Sequence, residues 1–277
     1  MKQRSGEKNK MLSVDELLGV PSGEPVTDIE VDKIYAFEGH PFKVVNDEKM
    51  EDLVESIRYK GVLTPVIVRP DDEGGYEMIS GHRRLYAVNK IGLPTIPANI
   101  KEMTDDDAVI AMVDSNIQRE EILPSEKAFA YRMKLNAIKH QGKVTRTSSQ
   151  LGRKLEAAEI VAESVGESKN QIHRFVRLTE LTPDLLEMVD RGKIAIMTGV
   201  EISYLDELIQ RWLYEYIKDN GVIKSYQISA LREELSVKGE LTRNEVIQIL
   251  NDYQPGRKPA MRINFTSNQL RKYFPAY

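Results

Sequence analysis

Cysteine is absent from all 277 residues. That absence removes disulfides, thiolate zinc sites and cysteine nucleophiles together, and it fits a reducing compartment such as the cytoplasm. No apolar run approaches the roughly 18 residues a membrane helix needs, and no signal-peptide pattern follows Met1, so neither spanning nor secretion is expected. Histidine occurs only four times, and His173 has no partner at metal-ligand spacing. No internal repeat and no large low-complexity segment is present, and 41% hydrophobic with 30% charged residues describes a globular chain long enough for two or three domains.

A net charge of −4 argues against a nucleic-acid partner only if the charge is evenly spread. It is concentrated instead. Between Ser125 and Glu180 eleven basic side chains face six acidic ones, a local excess of five, which is an electrostatic footprint suited to DNA.

Residues 1 to about 24 are polar, carry Lys2, Arg4, Lys8 and Lys10, and read as a mobile tail with a short helix at Ser13 to Leu18. From Val26 to Arg119 strand and helix signals alternate. Val26 to Phe37 has strand character, and Asp47 caps a helix that runs to Lys60 and stops at Gly61. Pro65 to Arg69 and Tyr76 to Ile79 form a hairpin about the Asp-Asp-Glu-Gly-Gly stretch at 71–75. A helix over Leu85 to Ile91, a strand over Thr95 to Ile100, and a helix opened by Thr104 with Asp107 and closed near Asn116 complete a small α+β domain. Past Leu123 strand signals disappear, and Pro124 and Ser125 start a helix ending near Gly142. A polar linker to Ser149 follows. Helices are predicted at Thr182 to Arg191, Tyr204 to Lys218, Ser225 to Val237 and Thr242 to Asn251. Within them Trp212, Leu213 and Tyr216 make an apolar stripe, and Val246, Ile247, Ile249 and Leu250 a buried face. Pro255 to Pro259 is a basic break, and Met261 to Tyr277 has the pattern of a strand then a helix.

Three stretches carry chemistry. At Gly81-His82-Arg83-Arg84 a glycine lets the chain approach an oxygen, a helix start offers unpaired N–H groups, and two guanidiniums supply bidentate contacts, as an anion cradle requires. Read alone, the same residues are also a solvated basic first turn. Asp114-Ser115-Asn116-Ile117-Gln118-Arg119-Glu120 crowds a carboxylate, an amide and an arginine at a helix end, either a site for a nucleotide with a hard cation or a polar C-terminus. Between Glu159 and Thr179, Ala162, Gly166, Ile172 and Phe175 fall four, six and three residues apart, the spacing of a helix-turn-helix. Its outward residues, Ser168, Lys169, Asn170, Gln171, His173, Arg174 and Arg177, can donate to base edges and phosphates in a major groove. A plain helical hairpin shares that spacing.

In this order the pieces resemble the ParB family of plasmid and chromosome partition proteins over about residues 26 to 200. Gly61 to Pro70 (Gly-Val-Leu-Thr-Pro-Val-Ile-Val-Arg-Pro) is similar to its first nucleotide motif and Gly81 to Arg84 to its phosphate motif. Asn116 to Glu120 followed by Leu123 to Ala128 is similar to the third. The resemblance implies an α+β architecture, a small ParB/sulfiredoxin-like α+β domain (25–120) followed by an all-helical domain with a helix-turn-helix (121–200). Residues 201–277 form a helical region without an assigned role. It further implies a bacterial cytoplasmic homodimer, associated with nucleoid or plasmid, that binds double-stranded DNA at a palindromic site, takes CTP and Mg²⁺ in the first domain, closes as a clamp, and works with a ParA-type ATPase. The nucleotide would be held by Thr64 and Pro65 at the base end, Gly81, His82, Arg83 and Arg84 at the phosphates, and Asn116 and Arg119, with Asn116 also the metal ligand. The family pattern has glutamates at the positions of His82 and Ser115, so two carboxylates, one assisting hydrolysis and one binding metal, are replaced here, with Asp114 standing beside the second. A repressor that needs only the helix-turn-helix is the alternative, and a ParB-like nuclease a weaker one. A sulfiredoxin-type enzyme is excluded by the missing cysteine.

Overall fold

A computed structural model of the chain describes residues 25–119, 121–142 and 156–254. The expected tail helix, most of the 142–149 linker, Glu120 and everything expected after residue 254 lie outside the described residues. The chain divides into two compact units, residues 1–179 and 180–277.

The first unit is built on a five-stranded mixed sheet with β1 (Val26–Glu30), β2 (Ile34–Ala36), β3 (Val66–Pro70), β4 (Tyr76–Ser80) and β5 (Thr95–Ile100) in the order β1-β5-β3-β4-β2. β3 is central, and its Val-Ile-Val run is buried on both faces, as a covered inner strand demands. Side-chain alternation sorts the two cores. Val66, Val68 and Met78 face Met50, Val54 and Ile57 of α1 (Glu48–Lys60) and Ala87 and Val88 of α2 (His82–Ile91). Ile67 and Ile79 point the other way, onto Met112 and Val113 of α3 (Asp105–Asn116) and Ala130 of α4 (Pro124–His140).

Local signals set most boundaries. Asp47 Oδ1 accepts from Met50 N at 2.8 Å to cap α1, and Thr104 Oγ1 accepts from Asp107 N at 3.2 Å to cap α3. The hairpin closes through Asp71 N to Gly75 O at 3.0 Å. α4 starts without a conventional cap: Pro124 occupies its first turn, and Glu126 reaches back to accept from Leu123 N at 3.0 Å.

Two expectations are corrected. Val26 to Phe37 is not one strand; a 3-10 turn at Val31–Lys33 buries Val31, with its N–H donating to Pro94 O at 3.0 Å, and sends the chain from one edge of the sheet, beside β5, to the other, beside β4. The helix predicted over Leu85 to Ile91 begins three residues earlier, at His82, directly after the glycine that breaks the strand.

The first unit continues with α5 (Ala157–Val165) and α6 (Lys169–Leu178), both packed on α4. The second unit is helical: α7 (Pro183–Asp190), α8 (Ile196–Ile202), α9 (Glu207–Asn220), α10 (Ser225–Lys238) and α11 (Arg243–Asp252). α8 carries no sequence signal because Gly199 interrupts a short run, and its burial supplies what its propensity lacks. Buried amides pin the connections. Gln210 donates to the carbonyls of Glu180 (3.1 Å) and Leu205 (2.9 Å) and accepts from Thr182 N (2.9 Å), while Gln227 bridges Lys224 N and Leu250 O. Leu213 and Tyr216 are buried as expected and Trp212 half-buried; Val246 and Leu250 form the buried face of α11, with Ile247 and Ile249 half-buried. Among the described residues no helix is long and apolar enough to cross a membrane.

Candidate functional site

Gly81 stands at the junction of β4 and α2 with φ +117°, a region open to glycine, and a Cβ there would lie 2.5 Å from Val66 Cγ1. The close approach to β3 aims the first turn of α2 across the end of the sheet. Arg84 turns back on the strand entry and donates through Nη1 to the carbonyls of Thr64 (2.5 Å) and Pro65 (2.7 Å). It braces that loop. Arg83 faces the opposite way, into a groove of about 630 Å³ lined by Lys43, Val45, Asp47, Lys49, Arg83, Arg119, Glu121, Ile122, Leu123 and Glu126.

Of the eight residues expected to hold a nucleotide, Arg83 and Arg119 line this groove, whereas Thr64, Pro65, Gly81 and Arg84 cluster at the neighbouring strand entry and His82 and Asn116 are buried beneath. The groove is held open by ordinary contacts. Glu126 accepts Lys43 N at 2.7 Å, and Arg119 lies over the Phe42 ring at 5.6 Å. Lys43, Lys49, Asp47 and Glu126 were not singled out from sequence as site residues: Lys43 lies in the irregular 38–46 segment, Asp47 and Lys49 read as the start of a helix, and Glu126 stood within the third motif without a role. The shared groove brings them together.

Its charges are strained. Arg119 is pushed below its ordinary pKa by burial first and by Arg83 second, with Glu126 opposing, while Arg83 pairs with Asp47 at 3.6 Å and, among the described residues, leaves Nε buried without a hydrogen-bond partner. Two guanidiniums that repel each other in a partly dry groove are stabilised by an anion between them. Behind them His82, 7% exposed, stacks on His40 with ring centroids 3.7 Å apart, and neither ring nitrogen of His82 finds a partner. Burial, then His40 and Arg119, lower His82 to about 3; burial and Arg119 lower His40 to about 4 against a hydrogen bond to the Phe42 backbone.

Because both folded-state values lie below the ordinary 6.5, the unfolded chain takes up protons first as pH falls, so stability is full above about pH 6.5 and is lost toward pH 4. Urea unfolding at stepped pH should show His82→Phe flattening this slope by about one proton, roughly 1.4 kcal/mol per pH unit. An unchanged slope would mean that His82 is charged in the fold.

Asn116, the residue the resemblance implies for Mg²⁺, is positioned through its amide nitrogen, so that its side-chain oxygen is the atom that would meet a hard cation. Asn116 is 4% exposed and its amide donates to Met112 O at 2.8 Å and to Ser115 Oγ at 3.2 Å; Ser115 Oγ donates to Met112 O at 2.9 Å. Asp114, which stands beside the replaced carboxylate, is taken by Lys134. These contacts fix the end of α3, where Asn116 would be one protein oxygen for Mg²⁺ and phosphate and water oxygens would supply the rest. Among the described residues no group of three or more His, Asp or Glu can hold a metal.

The second candidate surface lies on α5 and α6. Gly166 makes the turn with φ +70°, and Ala162, Ile172 and Phe175 are buried at the expected positions. Ser168 caps α6 by accepting from Gln171 N at 3.2 Å, and Lys169 is paired with Glu156 at 2.7 Å. Those two therefore shape the helix start. Asn170, His173 and Arg174 are exposed, and Gln171 and Arg177 half-exposed, along the outer face. Lys127 ties α4 to the turn through Glu167 at 3.1 Å and lies over the Phe175 ring.

A model of the ParB N-terminal domain family matches residues 19–117. The chromosome-partitioning protein Spo0J of Thermus thermophilus is 32% identical over 197 residues, 71% of this chain and 66% of that protein. The nucleoid occlusion protein of Listeria innocua is 34% identical over 215 residues, covering 77% and 70%. The chain thus spans about two thirds of the length of these relatives. Among solved structures, the C-terminally truncated chromosome-partitioning protein ParB from Caulobacter crescentus, complexed to the centromeric parS site, covers 81% of this chain and 98% of that one at 20% identity and a TM-score of 0.44.

Proposed function

The chain belongs to the ParB family, and on that premise we propose that it is a partition protein. In this reading it binds a palindromic, centromere-like duplex site as a homodimer through α5 and α6, and it takes a nucleotide, CTP, in the groove beside α2. The observation that supports nucleotide binding is the facing of Arg83 and Arg119 across one groove, with Arg83 Nε buried and unpartnered. Residues 25–120 would carry the nucleotide, 121–200 the DNA, and a ParA-type ATPase would be the partner. Clamp closure would follow if the nucleotide favours one arrangement of the first turn of α4, where Glu126 faces the groove and Lys127 the helix-turn-helix.

Isothermal titration with the four ribonucleoside triphosphates tests the first half; heat from CTP and not the others is expected, and no heat from any removes the nucleotide from the reading. The exposed face of α6 supplies a separate test. Arg174→Ala should weaken binding to the specific site by about 1–3 kcal/mol while leaving binding to unrelated duplex nearly unchanged, measured by mobility shift. An equal loss on all sequences would assign Arg174 to phosphate. Mapping occupancy on long DNA distinguishes a spreading clamp from a repressor confined to its site.

A further inference from the structure

We infer that Lys43 is a phosphate-binding residue of the groove, meeting the nucleotide's triphosphate together with Arg83 and Arg119. Resting on the nucleotide reading above, this adds a contact from a segment that lies outside all three sequence motifs.

The segment that carries Lys43 is neither helix nor strand, yet its place is fixed from two sides. Phe42, 2% exposed, is buried with Ile67, Ile79 and Met112 in the core on one face of the sheet. Lys43 then donates its backbone N–H to Glu126 Oε1 at 2.7 Å, while Glu126, itself 7% exposed, accepts Leu123 N at 3.0 Å with its other oxygen. Moving the Lys43 backbone would strip a buried carboxylate of one of its two backbone donors, which is unfavourable. The side chain is therefore delivered to the groove from a fixed point.

Its charge is also unspent. Lys49 is paired with Glu121 at 3.5 Å and Arg83 with Asp47 at 3.6 Å, whereas the Lys43 ammonium makes no ion pair or hydrogen bond among the described residues. A lone surface lysine is simply solvated. Lys43 is exposed but not alone, because it lines the same groove as Arg119 and as Arg83, whose Nε is buried without a partner among the described residues. Three cations from three different segments, the 38–46 stretch, the start of α2 and the end of α3, repel one another unless an anion lies between them. A triphosphate offers more charged oxygens than two guanidiniums can meet. A lysine suits the third place, since an ammonium on a flexible stem follows a phosphate that two planar guanidiniums have already oriented.

Isothermal titration of the full chain in magnesium chloride, with CTP and separately with inorganic tripolyphosphate, tests the inference. Lys43→Met keeps the stem and removes the charge; it should weaken CTP about tenfold or more, and tripolyphosphate by the same factor, at an unchanged melting temperature. Lys43→Arg should return affinity to within about threefold of the parent. CTP affinity in Lys43→Met within about threefold of the parent overturns the inference and leaves the nucleotide reading standing, whether or not duplex binding falls in a mobility shift. A loss confined to CTP overturns it too, by assigning Lys43 to the base. So does a loss that arginine fails to restore or that comes with a lower melting temperature, since the residue is then structural. Absence of CTP binding by the parent chain removes the nucleotide reading itself, and the inference with it.

Discussion

Replacing Arg83 and Arg119 together by alanine is expected to abolish nucleotide binding while leaving the fold intact. Each guanidinium lines the groove, and each charge-assisted contact to phosphate contributes about 1.5–3 kcal/mol, so losing both should weaken affinity by roughly a hundredfold or more. Their losses act in opposite directions on the fold. Arg83 pairs with Asp47 at 3.6 Å and Arg119 lies over the Phe42 ring at 5.6 Å, while removal of both ends the repulsion between them, so the double variant should melt close to the temperature of the parent. Arg84→Ala is the control. Its Nη1 is bound to the carbonyls of Thr64 and Pro65, so its loss should loosen the strand entry and lower stability before it touches the phosphates. Equal loss of CTP affinity in Arg84→Ala, with unchanged melting, would place the phosphates at the strand entry instead of the groove.

The second large effect is structural. Lys134→Ala should destabilise the first unit by about 3–5 kcal/mol, because it leaves the Asp114 carboxylate without its ammonium and opens a void where α3, α4 and α5 meet. Changing both members of the pair, as Lys134→Met with Asp114→Asn, should recover most of that loss, since an apolar stem of similar length refills the space and no lone charge remains. Urea unfolding of the two variants beside the parent decides it. A loss under about 1 kcal/mol in Lys134→Ala would show that water reaches the pair and that it acts as a surface bridge. The same variants bear on function, because Lys134 joins the end of α3, beside Asn116, to the first helix of the DNA reader.

Much of this was legible before any coordinates. Asp47, Gly61 and Thr104 are local stop and start signals whose hydrogen bonds close within three or four residues, and each does what its chemistry requires. The spacing of Ala162, Gly166, Ile172 and Phe175 places a turn and two buried faces without reference to anything distant, and the structure buries the three apolar members around the glycine. What failed to show was non-local. The 3-10 turn that carries the chain from one sheet edge to the other depends on Val31 N meeting Pro94 O, sixty-odd residues away, and α8 forms around Gly199 only because neighbours bury it.

The candidate site divides along the same line. The sequence alone determined that a glycine-broken strand leads into Arg83 and Arg84, that Asn116 and Arg119 close the next helix, and that an outward basic face follows a glycine turn. Periodicity and capping are properties of neighbouring residues. Only the tertiary structure decided which of these side chains share a space: Arg83 with Arg119, Lys43 and Lys49 in one groove, Arg84 folded onto strand carbonyls, the Asn116 amide N–H on Met112 O and Asp114 paired with Lys134. Side-chain direction at a helix start, and the burial that sets charge, arise from segments brought together by the sheet order, which no local pattern encodes.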